Sequence, residues 1–245
     1  MPEPYYSDDT VTLYLGDCRE LLGSLEHEVD LVVTDPPYGE TSLDWDRWPT
    51  GWPALVPGAS MWCFGSMRMF LDRRDEFTGW RMSQDVIWRK PNAGGVAHRD
   101  RFVRVHEHAL HWYRGEWGLV HHEQQRTIRS GPDKGIVHRG ETGPAWNGSR
   151  RANAWSDDGT RGLPSVIDSP NMRMRGIHPT EKPTGLLDPL IRYGCQEGGT
   201  VLDPFAGSGS TLDAARTAGR LAVGIEARED YCEAIANRLS QCVLL

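Results

Sequence analysis

Late in the chain a strand, a glycine turn, a helix, a second strand and a carboxylate follow one another without a gap. Val201-Leu202-Asp203 reads as the first strand and Pro204 to Gly209 as the turn. Ser210 to Ala218 reads as the helix and Leu221 to Ile225 as the second strand, with Glu226 at its end. That order is the opening βαβ unit of a nucleotide-binding α/β fold. Gly207 and Gly209 let the backbone approach a ligand, and the helix start faces it. Glu226 stands about 20 residues beyond Gly207, the spacing of a carboxylate that holds ribose hydroxyls. Such a unit normally opens its sheet, yet only about 20 residues follow Glu226. The remaining strands are therefore expected from upstream, which makes the fold circularly permuted.

The turn also says which nucleotide. A dinucleotide site wants a third glycine for close helix packing beside a pyrophosphate, and Leu212 stands in that place. Asp203-Pro204-Phe205-Ala206 is bulky where a pyrophosphate would sit. An adenosine ligand without phosphates fits better. S-adenosylmethionine meets this, with its ribose on Glu226 and its charged methionine end near Asp203 and the turn.

A second stretch supplies chemistry. Val29, Leu31, Val32 and Val33 form a short apolar run that suits a buried parallel strand. It stops at Asp35, because Pro36 and Pro37 cannot donate to a sheet ladder. The result is a stiff turn holding a carboxylate, two proline carbonyls and the Tyr38 ring. That set suits a planar target with an exocyclic amine. Asp35 and the Pro36 carbonyl would accept its two hydrogens, and Tyr38 would stack on the ring. The plainer alternative makes Asp35 a turn residue and Tyr38 core packing. With Leu31 to Thr34 a central strand beside Val201 to Asp203, both turns open at the carboxyl edge of the sheet, where ligands bind in such folds.

The other elements fit one large α/β domain of 245 residues. Strands are expected at Val11–Leu15, Ala59–Phe64, Arg81–Trp88 and Val103–Tyr113, the last with a bulge. Helices are expected at 18–25, 66–74, 184–195 and 229–240. Trp45, Trp48 and Trp52 lie in a long loop after Tyr38, as a lid or wall over the site or as anchors to the core. Hydrophobic content of 38% and mean hydropathy of −0.53 describe a soluble chain with no run of membrane-spanning length. The start has no signal-peptide pattern. Five cysteines without a Cys-x-x-Cys pair point to a reducing compartment. His106, His108, His111, His121 and His122 have no metal-ligand spacing, so no metal is expected.

Net charge of −7 does not favour a nucleic-acid binder unless a patch is hidden in it. Residues 114–165 offer one. They are rich in Gly, Ser, Asn and Arg and carry Arg126, Arg129, Lys134, Arg139, Arg150 and Arg151. A module of that kind can order on a polyanion, or be a solvated insertion.

The chain resembles the β-type amino-methylating DNA methyltransferases, in which the catalytic motif precedes the cofactor motif. The matching pieces include Leu13-Tyr-Leu-Gly-Asp17, Thr34-Asp-Pro-Pro-Tyr-Gly39 and Leu43-Asp-Trp-Asp46. Ile87-Trp-Arg-Lys90, His106-Glu-His108, His178-Pro-Thr-Glu-Lys-Pro183 and Asp203-Pro-Phe-Ala-Gly-Ser-Gly209 complete them. The resemblance implies a permuted Rossmann-like fold, with helices on both faces of a mostly parallel sheet. It implies Asp35, Pro36, Pro37 and Tyr38 as catalytic. Asp17, Asp35, Thr180, Lys182, Asp203, Pro204, Phe205, Ala206, Gly207, Gly209 and Glu226 would surround S-adenosylmethionine. Asp17 would lie near the adenine, and Thr180 and Lys182 at the methionine end. Residues 1–113 and 166–245 would form the methyltransferase domain and 114–165 a small target-recognition insertion. In the resembling family Asp at the first catalytic position is the commoner form for adenine N6, and Ser for cytosine N4. Adenine N6 in duplex DNA is thus the expected target, with cytosine N4, or an RNA or protein amine, as alternatives. Double-stranded DNA, a second copy and a cognate restriction endonuclease are the expected partners, in the cytoplasm and away from membranes.

Overall fold

The computed structural model describes residues 2–91, 100, 102–128, 158–170 and 181–241. The chain runs β1 (Tyr6–Ser7), β2 (Val11–Leu15), α1 (Cys18–Leu21), β3 (Leu31–Thr34), α2 (Trp52–Leu55) and β4 (Ser60–Gly65). It continues through α3 (Met67–Asp72), β5 (Arg81–Arg89), β6 (His106–Tyr113), β7 (Arg126–Ile128), β8 (Thr160–Gly162) and β9 (Val166–Asp168). It closes with α4 (Thr184–Gly194), β10 (Thr200–Asp203), α5 (Ser210–Thr217), β11 (Leu221–Glu226) and α6 (Glu229–Gln241). By its internal contacts the chain divides into two units, Met1–Glu123 with Ser165–Leu245, and Gln124–Pro164.

The first unit holds a nine-stranded sheet of order β1-β2-β11-β10-β3-β4-β6-β5-β9. Its middle, from β2 to β4, is parallel throughout. β1 joins one flank antiparallel, and β6 pairs antiparallel with both β4 and β5. Late strands β10 and β11 thus sit between early strands β2 and β3, the permutation expected from the position of the glycine turn.

Burial of β3 shows the layering. Leu31, Val32 and Val33 are wholly buried, and successive side chains of a strand face opposite ways. Leu31 and Val33 join Leu187 of α4, Leu212 of α5 and Ile235 of α6. Val32 joins Trp52, Phe70 and Phe77 on the other side. Apolar matter on both faces explains a continuous run in place of alternation, and each such side chain contributes about 1.5–3 kcal/mol. Leu212 fits where a dinucleotide fold places glycine because Gly224 of β11 supplies the gap. A Cβ on Gly224 would lie 2.7 Å from Leu212 Cδ1.

Three local expectations need correction. The helix expected over 18–25 breaks after Leu21 into a tight turn at Leu22–Ser24. The bulge expected in Val103–Tyr113 lies in its partner, where pairing slips between Met82 and Gln84. The tryptophan loop is not all loop, because Gly51 and Pro53 start α2 inside it. Among the described residues no helix is long and apolar enough to cross a membrane. In the second unit β7 and β8 pair antiparallel, Arg126 opposite Gly162.

Candidate active site

β3 and β10 are neighbours, with Val201 opposite Leu31 and Leu202 opposite Val32. Their carboxyl ends are tied together, since the buried Thr34 hydroxyl donates to Asp203 Oδ1 at 3.0 Å. The two turns that follow line one cavity of about 850 Å3, a volume proper to a small-molecule site. Asp35, Pro36, Pro37 and Tyr38 line it together with Asp17, Lys182, Asp203, Pro204, Phe205, Ala206, Gly207 and Glu226. Gly209 does not. Its φ is 74°, and a Cβ there would meet Ile235 Cγ2 at 2.9 Å, so its missing side chain serves the packing of α6. Thr180 lies outside the described residues.

Asp35 is held from two sides. The Tyr38 hydroxyl donates to its Oδ1 at 2.7 Å, and the Lys182 ammonium donates to its Oδ2. Lys182 is buried and also stands 3.5 Å from Glu107 Oε2. Lys90 in turn donates to Glu107 Oε1. A line of alternating charge therefore runs from Lys90 through Glu107 and Lys182 to Asp35. Burial pushes the Lys182 ammonium down, but the Asp35 and Glu107 carboxylates outweigh it and hold it above its ordinary value. Burial pushes Glu107 up, and Lys182 and Lys90 more than reverse that. Burial, reinforced by Asp35 and Glu107, lifts the Tyr38 phenol well above its usual range. It remains a hydrogen-bond donor.

The segment after Tyr38 is pinned by Asp46. Its carboxylate accepts the backbone amides of Gly39 at 2.9 Å, Glu40 at 3.1 Å and Thr41 at 2.7 Å. The three tryptophans share the two expected roles, Trp48 taking both. Trp48 and Trp52 are buried anchors, Trp52 meeting Phe205 edge-on at 5.2 Å. Trp45 lines the cavity and is 44% exposed.

Across the cavity the carboxylates are held by uncharged donors. Asp203 Oδ1 accepts the Thr34 hydroxyl and, at 3.1 Å, the Phe205 amide. Burial pushes its carboxyl up to about 6, against the pull of Thr211, Phe205 and Thr34. Glu226 accepts the Gly207 amide at 2.8 Å and the Arg228 amide at 2.9 Å, and burial raises it too. Among the described residues neither Asp203 nor Glu226 makes a side-chain ion pair. A buried carboxylate without an internal cation fits the charged end of S-adenosylmethionine, and Glu226 beside a glycine amide fits a ribose. Asp17 caps α1 and pairs with Arg19 at 2.5 Å.

Of the expected DNA contacts, Arg126 sits exposed on β7, paired with Asp158 at 3.2 Å and with the Thr160 hydroxyl at 2.7 Å. Arg129, Lys134, Arg139, Arg150 and Arg151 lie outside the described residues. His111 is buried between the Ser60 and Ser83 hydroxyls, at 3.0 and 2.6 Å. Burial takes its imidazole down to about 4, so it is a neutral core residue. The residues that sequence reasoning passed over are Glu107, Lys90, Thr34 and Asp46. Each lay inside a quoted motif, and for Glu107 the available signal was a charged side chain inside an expected strand.

A mostly parallel sheet that presents a proline-stiffened turn and a glycine turn to one cavity defines a permuted Rossmann-like methyltransferase fold. Residues 29–238 match the family model described as DNA methylase, of the N6/N4 type. The chain belongs to that family, and it is a DNA methyltransferase. It is 29% identical over 269 residues to the Type II methyltransferase M.ScaI of Streptomyces caespitosus, covering 97% of this chain and 84% of that protein. It is 24% identical over 273 residues to the Type II methyltransferase M2.DpnII of Streptococcus pneumoniae, covering 98% and 93%. Among solved structures, the M1.HpyAVI complex with S-adenosylmethionine is similar at a TM-score of 0.62 and 24% identity, covering 94% of this chain and 98% of that one. The cytosine-N4-specific PvuII DNA methyltransferase is similar at 0.64 and 19%, covering 97% and 89%.

Proposed function

We propose that the chain methylates N6 of an adenine flipped out of duplex DNA at a specific site. The observation that carries this is the seam at Thr34 and Asp203, which supports one cavity shared by the amine-gripping turn and the cofactor turn. Asp35 at the first catalytic position supports adenine over cytosine. S-adenosylmethionine supplies an electrophilic methyl group on a positive sulfonium, which needs no acid to leave.

The residues around the cavity then divide the work. Glu226 holds the ribose, Asp203 the charged methionine end, and Asp17 the adenine side of the cofactor. Phe205 and the Gly207 backbone form the floor between them. Asp35 and the Pro36 carbonyl accept the two hydrogens of the target amine and turn its lone pair to the methyl group. The Tyr38 ring stacks on the flipped base. As the amine nitrogen gains positive charge, the Asp35 carboxylate stabilises it, an effect that is large in a preorganised site. The methylated amine is acidic enough to lose its proton to water, so Asp35 need not act as a base.

Residues 114–165 form the target-recognition module, where Arg126, Arg129, Lys134, Arg139, Arg150 and Arg151 meet phosphates or base edges. The reading extends to a cytoplasmic enzyme, a homodimer, working beside a cognate restriction endonuclease. The Type II names of the relatives support the endonuclease.

Labelled methyl transfer to unmodified genomic DNA, RNA and protein, followed by nucleoside analysis, tests the proposal. N6-methyladenine in DNA is the expected product. N4-methylcytosine would overturn the base assignment, and label only in RNA or protein would overturn the substrate.

A further inference from the structure

Lys182 occupies the oxygen that the target amine needs. Its ammonium donates to Asp35 Oδ2 while the Tyr38 hydroxyl holds Oδ1. Beside it, Glu107 Oε2 is buried and has no hydrogen-bond partner among the described residues. The same Lys182 ammonium stands 3.5 Å from that atom. A buried carboxylate oxygen left open is costly unless something uses it.

We propose that Glu107 is a positioning residue for methyl transfer: its open Oε2 receives the Lys182 ammonium when the target amine replaces that ammonium on Asp35. This rests on the reading of Asp35 given above.

Several features make the exchange cheap. The shift needed to turn a 3.5 Å ion contact into a hydrogen bond is under about 1 Å. Lys182 remains ion-paired throughout, so its own charge is never left bare in a buried place. Its ammonium lies within cation–π reach of Phe64 at 5.0 Å and Trp88 at 5.7 Å. Lys90, which fills Oε1, fixes the Glu107 carboxylate so that Oε2 keeps facing Lys182. Before the base arrives, Lys182 holds Asp35 in place. Once the ammonium has moved to Glu107, the full charge of Asp35 meets the nitrogen on which positive charge develops. With Glu107 neutral, Lys182 has no second carboxylate and stays on Asp35, in competition with the substrate.

The test compares Glu107→Gln, Lys182→Met and the double variant in single-turnover methyl transfer at saturating cofactor and DNA. Cofactor binding is measured by calorimetry on each. Glu107→Gln is expected to slow transfer roughly tenfold or more, with the cofactor Kd changed by no more than about threefold. Adding Lys182→Met to it should then restore part of the rate, because the competing ammonium is gone. A merely structural role for Glu107 would give a double variant slower than Glu107→Gln, and that result, or an unchanged rate in Glu107→Gln, overturns the proposal. Should Glu107→Gln not fold, a crystal structure of the wild-type chain with S-adenosylhomocysteine and a methylatable duplex decides. Lys182 Nζ nearer Glu107 Oε2 than Asp35 Oδ2 supports the exchange, and Lys182 still on Asp35 ends it. Wild-type protein that transfers no methyl group to DNA would show instead that the functional reading had failed, and this inference with it.

Discussion

The two walls of the cavity treat their carboxylates in opposite ways. Asp35 is bonded to a buried ammonium, which is backed by Glu107 and Lys90. Asp203 and Glu226 are bonded to hydroxyls and backbone amides. The difference matches the ligand proposed for each wall. A neutral amine brings no charge, and the protein itself places a cation beside the carboxylate that receives it. At Asp203, a ligand carrying its own ammonium and sulfonium completes a carboxylate that has no ion pair among the described residues.

The comparison breaks most visibly at Asp35. Asp35→Ala is expected to lower methyl transfer by about two to three orders of magnitude, while cofactor affinity by calorimetry stays near normal. A lost cofactor affinity would mean that the two walls are not separate. Next in size, Glu226→Ala removes the acceptor fixed by the Gly207 and Arg228 amides. It should weaken the cofactor about ten- to a hundredfold, and unchanged affinity would remove the ribose role.

The smallest effect is one of pH. Asp203, pushed up to about 6, is ionised above that pH and neutral below it. Cofactor affinity should therefore fall several-fold, by order of magnitude, between pH 7.5 and 5.5. Asp203→Asn should flatten that dependence in titrations across the range. The same shift has the reverse sign for folding. In the unfolded chain the carboxyl returns to its ordinary lower value, so ionised Asp203 costs stability at neutral pH. That cost lapses as pH falls through 6 towards 4.

What could be read from the sequence follows how local each feature is. The glycine turn, the Asp-Pro-Pro-Tyr turn and the permuted order depend on residues adjacent in the chain, and their backbone rules act over a few positions. Lys182 was expected at the methionine end of the cofactor, by resemblance. It lines the shared cavity but bonds to Asp35, a residue 147 positions away, and nothing in either segment announces that pairing. In the sequence Glu107 stands only as one residue of an expected strand. Its role depends on β6 and β5 lying side by side, which brings Lys90 to it. The motif places Gly209 at the ligand, and Ile235 of α6 independently requires that it carry no side chain. An irregular strand points to a bulge in itself, yet pairing can slip in either partner, and only the ladder records which.

The adjacency of β3 and β10 has a further consequence. Two loops hung from neighbouring strands begin one ladder spacing apart, about 4.8 Å, and that interval belongs to the main chain. Loop substitutions can retune what each side grips without altering the gap across which the groups must meet. The order in which a gene spells out the two halves then ceases to matter, because rulers made of peptide hydrogen bonds read the same from either end.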